Sequence, residues 1–402
     1  MRDNNLNLKN NIQSNYLKNS YQKKYNEKLK EIMLTLNEDV DNLKKTLSVL
    51  SKDYKFNLKL KDLKKFYKFK VIVLIGMGGS ILGTEAIYNF LKKNIKKKIY
   101  FFDNLDNDKI TSLRKKENLR EVLFFVISKS GNTVETIANT LILKVIKQDA
   151  NNLIIISEKK NNFLFNLAKK YNLFHIEHKN FIGGRYSVLS EVGMVPAYLM
   201  GLNISKFRSR IMDFFKGENK KFLKDSAIQL SNLLETTKIQ NLIFINYSPK
   251  LEKFLYWCQQ LIAESLGKNG KGFLPMVSNA PKDHHSLLQL YIDGPKDKIF
   301  HIFYLNEKSN EQINTKKIKN FLRKKTLNQI KMSQKNALIK TLKKNKISFR
   351  EFEVKKDNED VLGKMFSYFI LETIIIGKLI KVNPFNQPAV EQVKIYTKKF
   401  LT

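Results

Sequence analysis

Apolar runs broken by polar, glycine-rich turns recur along this chain. "KVIVLIGMGGSILGTEAIYNFL" reads as strand, turn and helix: Val71 to Ile75 suits a strand buried on both faces, and Ile81, Ala86 and Ile87 supply a helical stripe. The same grammar returns at "KKIYFFDN", at "VLFFVISKSGNTVETIANTL" and at "NNLIIISE". Strands alternating with helices predict an α/β protein with a doubly wound parallel sheet. A second cycle begins at "IQNLIFINYS", passes through the helix "LEKFLYWCQQLIAESLG" and returns to strands at "KIFHIFYL" and "KISFREFEV". The pattern therefore predicts two α/β units in tandem. Ahead of them lies a polar lead-in to about Lys65, expected to be helical, and the Lys/Asn-rich stretch Asn306 to Lys344 is expected to form exposed helices. "MFSYFILETIIIGKLI" is broken by Glu372 and Lys378 and is short for a bilayer span, so a buried core helix is predicted there.

In an open α/β sheet, ligands sit beyond the carboxyl ends of the strands, where helix N-termini present unpaired N–H groups and partial positive charge. Both "GMGGS" and "SKSGNT" fall at such places. In the second, Ser128, Ser130 and Thr133 offer hydroxyls, Gly131 lets the backbone curl and Lys129 adds a cation, a set suited to a phosphate group. An ordinary N-cap would use the same residue types. "GMGGSILG" invites the dinucleotide fingerprint, but the third glycine of that pattern would fall on Ile81, and the Gly-Lys-Ser/Thr of a P-loop is missing. What remains is a tight turn that brings backbone N–H groups and Ser80 close to a ligand.

Farther along, Gln260 and Glu264 stand at i, i+4 on one helix face, just before "SLGK" ends the helix. By spacing alone Glu264 also reads as an exposed glutamate at a helix end. "APKDHHSLLQL" holds two of the five histidines, and a histidine can accept and donate a proton near neutrality. A capping or core role is commoner for any one histidine. His284 and His285 are not a metal site by themselves, since no further Cys or carboxylate lies at ligand spacing. "NPFNQPAVEQVKIYTKKF" starts a helix near Pro388, with Gln387 before it and Lys394 two turns in.

Composition narrows the functional class. The chain has 402 residues, 43% of them hydrophobic, with 28 Phe, enough to fill two cores. The formal net charge of +36 could draw a polyanion, yet the lysines are scattered from Lys9 to Lys399 and far outnumber arginine. No dedicated nucleic-acid or membrane partner is expected; a positive field would still attract a small anionic substrate. Cys258 is the lone cysteine, which excludes an intrachain disulfide and fits a reducing compartment. "MRDNNLNLKNNIQSNYLKNS" lacks the apolar core of a secretory signal, so a cytoplasmic location is expected.

Taken together, "IGMGGSILG", "SKSGNTVET", "GGRYSVLSEVG", "AESLGKNG" with "QQ" just before it, "DHHSLLQL" and "NPFNQPAVEQVK", in this order from about Val71 to Lys394, resemble the glucose-6-phosphate isomerase family. The resemblance implies two tandem sugar-isomerase (SIS-type) α/β/α sandwich domains with parallel sheets, plus N- and C-terminal helical segments. It divides the chain into a helical segment over 1–65, a first domain over 66–203, a second over 204–382, and a C-terminal helix over 383–402 that completes the active site. It also implies residue roles. Ser128, Lys129, Ser130 and Thr133 would hold the substrate phosphate, with Gly79 and Ser80 contacting it from the neighbouring turn. Arg185 would face C1 and C2, Glu264 would be the base and Gln260 would line the site. His285 is the better match of the pair because Gln289 follows it by four residues, and Gln387 and Lys394 would come from the C-terminal segment. The implied reaction is the interconversion of glucose 6-phosphate and fructose 6-phosphate in glycolysis and gluconeogenesis, without metal or organic cofactor. The site would lie at a homodimer interface, with the histidine supplied by the other chain. Alternatives within the same fold are a bifunctional phosphoglucose/phosphomannose isomerase and a non-catalytic sugar-phosphate-binding protein.

Overall fold

The computed structural model describes residues 1, 3, 5–307, 311–314 and 320–402. Its strands are β1 (Leu6–Asn11), β2 (Val71–Gly76), β3 (Lys98–Phe102), β4 (Val122–Ile127), β5 (Leu153–Ser157), β6 (Phe174–Glu177), β7 (Asn241–Asn246), β8 (Leu274–Asn279), β9 (Lys298–Leu305) and β10 (Phe349–Val354). They form two five-stranded sheets. The first runs β3-β2-β4-β5-β6 and is wholly parallel. The second runs β1-β10-β9-β7-β8, parallel except for β1 on its edge.

The central strands are apolar on both faces because helices cover both. Ile72 to Ile75 and Val122 to Ile127 are at most 1% exposed. Alternate residues feed different cores, as the two-residue period requires. Leu74, Leu123 and Phe125 face the large central cluster, while Val73, Phe124 and Val126 face a smaller outer one. The central cluster also takes Leu242, Phe244 and Phe303 from the second sheet, together with the helices Glu252–Leu266 and Glu359–Leu379. The two sheets thus pack through a shared helical layer. Glu359–Leu379 is the apolar stretch read as a core helix, and its Glu372 is neutralised by the fully buried Arg350 at 2.9 Å.

Several expectations need correcting. The lead-in does carry a helix, Asn19–Asp41, but it also carries β1, which pairs antiparallel with β10 across the sequence. Lys and Asn hid this strand; only Leu6 and Leu8 sink into the core. Strands β6 and β8 were also unforeseen: β6 has only four residues, and β8 carries Pro275 and sits on a sheet edge where a missing N–H is tolerated. Within the Lys/Asn-rich stretch the helix Leu327–Lys344 is not simply exposed, since Leu338, Ile339 and Leu342 pack on the second sheet. The expectation for 308–310 and 315–319 lies outside the described residues.

Candidate active site

In the first sheet the chain runs from β2 outward to β3 and then crosses to β4 on the other side of β2, so the strand order reverses between β2 and β4. That reversal opens a crevice beyond the carboxyl ends of these two strands. Both polar turns leave from it: the helical turn Gly78–Ser80 with the helix Leu82–Leu91 after β2, and 128–133 with the helix Val134–Ile142 after β4.

At 128–133 the hydroxyls converge. Ser128 and Thr133 share a hydrogen bond of 2.8 Å, and the Ser130 hydroxyl lies 3.5 Å from that of Ser128. Thr133 occupies the N-cap position yet makes no side-chain cap bond, so capping is not what its hydroxyl does. The turn rests on the segment after β5. Gly131 has φ +68°, and a Cβ there would lie 1.8 Å from Asn162 Oδ1. Asn132 Oδ1 accepts from the Phe163 N–H at 3.0 Å. Lys129 points its ammonium away from the hydroxyls: Nζ donates to Asn180 O at 2.7 Å and lies 3.8 Å from Glu158, and burial pushes its pKa down.

Gly79 makes room for the next piece. A Cβ on it would sit 2.2 Å from the Gly184 carbonyl carbon, so only glycine lets the turn Gly184–Leu189 stack directly on Gly78–Ser80. This delivers Arg185, which is 2% exposed and uses its whole donor fork. Nε donates to Ser265 Oγ at 2.8 Å; Nη1 donates to Glu264 Oε2 at 3.1 Å and Gln387 Oε1 at 2.7 Å; Nη2 donates to Pro384 O at 2.5 Å and Asn386 O at 3.2 Å. Gln260 Nε2 donates to the other Glu264 oxygen at 2.9 Å. Both carboxylate oxygens of Glu264 are therefore held while its side chain keeps about a third of its surface open, 32%. Glu264 and Gln260 line a cleft of about 480 Å³ with Leu82, Glu85, Lys253 and Tyr256.

Two expected residues stay outside this assembly. His285 is exposed in the turn Lys282–His285 that follows β8, whereas its neighbour His284 bonds the Tyr247 hydroxyl at 2.7 Å and has its pKa lowered by burial. Lys394 lies on the helix Glu391–Leu401, 65% exposed and paired with Glu391 at 2.6 Å. No residue of that helix is buried, so within one chain the C-terminal segment reaches the site through Pro384, Asn386 and Gln387 and not through Lys394. Sequence reasoning missed Tyr186 and Ser265, whose hydroxyls bond each other at 2.8 Å, with Tyr186 also donating to Pro384 O at 2.8 Å. The available signal was position alone, each standing next to a residue singled out for chemistry.

Comparison with known proteins identifies the family. The family model described as Phosphoglucose isomerase matches residues 61–402. A glucose-6-phosphate isomerase of Methanocaldococcus jannaschii is 33% identical over 356 residues, covering 85% of this chain and 87% of the relative. One of Campylobacter jejuni is 30% identical over 360 residues, covering 83% and 85%. Among solved structures, a hypothetical protein of Thermus thermophilus superposes with TM-score 0.81 at 23% identity, over 98% of this chain and 100% of that one. A glucose-6-phosphate isomerase of Chlamydia trachomatis superposes with TM-score 0.71 at 20% identity, over 85% and 72%; both share the fold. With the match spanning both sheets, the site between them and the C-terminal segment, this chain belongs to the phosphoglucose isomerase family.

Proposed function

We propose that this protein interconverts glucose 6-phosphate and fructose 6-phosphate by proton transfer through a cis-enediol, a step of glycolysis and gluconeogenesis. The observation that carries the reading is the Glu264 carboxylate, gripped on both oxygens by Gln260 and Arg185 yet open to a cleft. The hydroxyls of Ser128, Ser130 and Thr133, with Gly79 and Ser80 opposite, bind the phosphate, which fixes the sugar far from the reacting carbons. Lys129, tied to Asn180 and Glu158, adds charge behind the loop. His285 and Lys394 move protons at the ring oxygen and anomeric hydroxyl to open the ring. Glu264 then takes the proton from C2 of the aldose and returns it to C1, while the Arg185 cation stabilises charge on the enediolate oxygens. Gln387 steadies Arg185. The isomerisation neither gains nor loses electrons overall, so proton carriers suffice.

Chain topology supports a homodimer. Glu252, at the start of the helix Glu252–Leu266, accepts from Asn279 at the end of β8, and Asn279 in turn donates to Asp283, two residues before His285. Glu264 lies twelve residues farther along that helix, about 18 Å at 1.5 Å per residue. Base and histidine thus stand at opposite ends of one helix, and a second copy is needed to bring a His285 to Glu264. A cytoplasmic location goes with this reading: Cys258 is buried and free, and among the described residues no helix is long and apolar enough to cross a membrane.

The test is interconversion of the two sugar phosphates by purified protein in excess chelator, beside Glu264→Gln. Turnover that survives the chelator and falls by about 10²-fold or more in the variant is expected. Binding of sugar phosphate without turnover by the wild type would instead mark a binding protein on the same scaffold.

A further inference from the structure

The helix that carries Glu264 ends in the sequence "ESLGKNGKG", and its last turn is closed by Lys268. A helix leaves its last four carbonyls without intrahelical partners. Here Ala263 O accepts from the Gly267 N–H at 2.9 Å and Leu266 O from the Lys268 N–H at 2.8 Å. The remaining two, Glu264 O and Ser265 O, both accept from Lys268 Nζ at 2.7 Å. One residue therefore satisfies three of the four, and its cation sits at the negative end of the helix dipole. The backbone of Lys268 is itself fixed by a two-residue hairpin, with Lys268 and Lys271 exchanging hydrogen bonds across Asn269 and Gly270. Lys271 pins that hairpin by donating to Glu235 and to Ile380 O.

The two carbonyls that Lys268 holds belong to residues whose side chains set the site. Glu264 presents the carboxylate, and the Ser265 hydroxyl accepts from Arg185 Nε. We infer that Lys268 is a positioning residue for the reaction: its ammonium clamps the last helical turn so that the Glu264 carboxylate and the Arg185 guanidinium keep their mutual aim. This rests on the isomerase reading. Without the clamp the helix end frays, base and cation lose alignment, and a displacement of about 1 Å at a reacting group can cost about 10²-fold in rate. The phosphate turn, on the other sheet, makes no use of Lys268, so substrate affinity is spared.

The ammonium is also poised to lose its charge. Burial, followed by the neighbouring Arg185 charge and opposed by Glu264, pushes the Lys268 pKa down to about 8. Arg185 from the stacked turn and Glu264 from its own helix are the charged groups that face it, while Glu235 is taken up by Lys271. Below that pKa the clamp is cationic; above it the amine is neutral and its bonds to the carbonyls weaken.

The experiment measures kcat and KM for fructose 6-phosphate from pH 6 to 10 for wild type, Lys268→Met and Lys268→Arg. Alongside it, amide hydrogen exchange is followed in the peptide covering 260–268. Lys268→Met is expected to lower kcat about tenfold or more with KM changed less than about twofold, and to speed exchange in that peptide. Lys268→Arg, which keeps its charge throughout, is expected to recover most of kcat and to lack the alkaline limb that the wild type shows near pH 8. A Met variant with wild-type kcat, a parallel loss of kcat and affinity, or an alkaline limb that persists in the Arg variant would overturn the inference. A wild type that does not isomerise sugar phosphate would overturn the functional reading as well, so the two failures are told apart.

Discussion

At the scale of single residues, Arg185 is the joint on which the site hangs. It bonds Glu264, the helix that carries Glu264, and the C-terminal segment, through donors that a lysine ammonium cannot spread over the same fork. Arg185→Lys is expected to lower kcat about 10²-fold. It should also lower stability by about 2 kcal/mol or more, read from chemical denaturation, because the buried acceptors on Ser265 and Pro384 lose a charged donor. The candidate site was legible in the sequence to the extent that its residues sit in motifs: the hydroxyls of 128–133 converge, and Gln260, Glu264 and Arg185 bond one another. What was not legible was contact across the chain. Ser265 and Tyr186 are ordinary residue types whose importance comes from meeting each other, and nothing local showed that the Lys129 ammonium would turn toward Asn180.

At the scale of elements, the turn 128–133 works because the segment after β5 supports it from below. Gly131→Ala combines a positive φ with a Cβ 1.8 Å from Asn162 Oδ1, so the turn must move. If the loop holds the phosphate as proposed, the expected signature is a KM for either sugar phosphate raised about tenfold or more, with kcat affected less. The N-terminal strand offers a stability test. Asp3 accepts from Lys364 Nζ at 2.7 Å and Arg210 Nη2 at 2.8 Å. Burial raises its pKa, but the bonds from Lys364 and from the Asn5 and Leu6 N–H groups outweigh that and hold the carboxyl well below its usual range. A depressed carboxyl contributes stability above its unfolded pKa and loses it as pH falls through the folded one. The melting temperature of Asp3→Asn should thus fall short of wild type at pH 7, and the gap should narrow below about pH 4. A gap that widens on acidification would contradict this. The inner parallel strands of both sheets were readable because burial on both faces writes itself as an apolar run. β1, β6 and β8 were not, because an edge strand needs few apolar residues and its register is set by its partners.

At the scale of the whole molecule, the proposed mechanism calls for two copies, because Glu264 and His285 of one chain stand near opposite ends of the helix Glu252–Leu266. Glu264→Gln and His285→Ala subunits, each nearly inactive alone, should therefore complement. After unfolding and refolding together in equal amounts, half the dimers are mixed, each with one intact site, giving about a quarter of wild-type activity. No recovery from mixed dimers would mean that His285 serves the Glu264 of its own chain and would contradict a shared site. The central claim is that Glu264 carries the proton between C1 and C2, and its most direct test is the fate of solvent deuterium. Fructose 6-phosphate is converted repeatedly in D2O and the glucose 6-phosphate is read by NMR at C2. A proton that passes through the Glu264 carboxyl exchanges with solvent, so deuterium should accumulate at C2 with wild type and not with Glu264→Gln. Full turnover that leaves C2 free of deuterium would mean a direct hydride shift and would contradict the account.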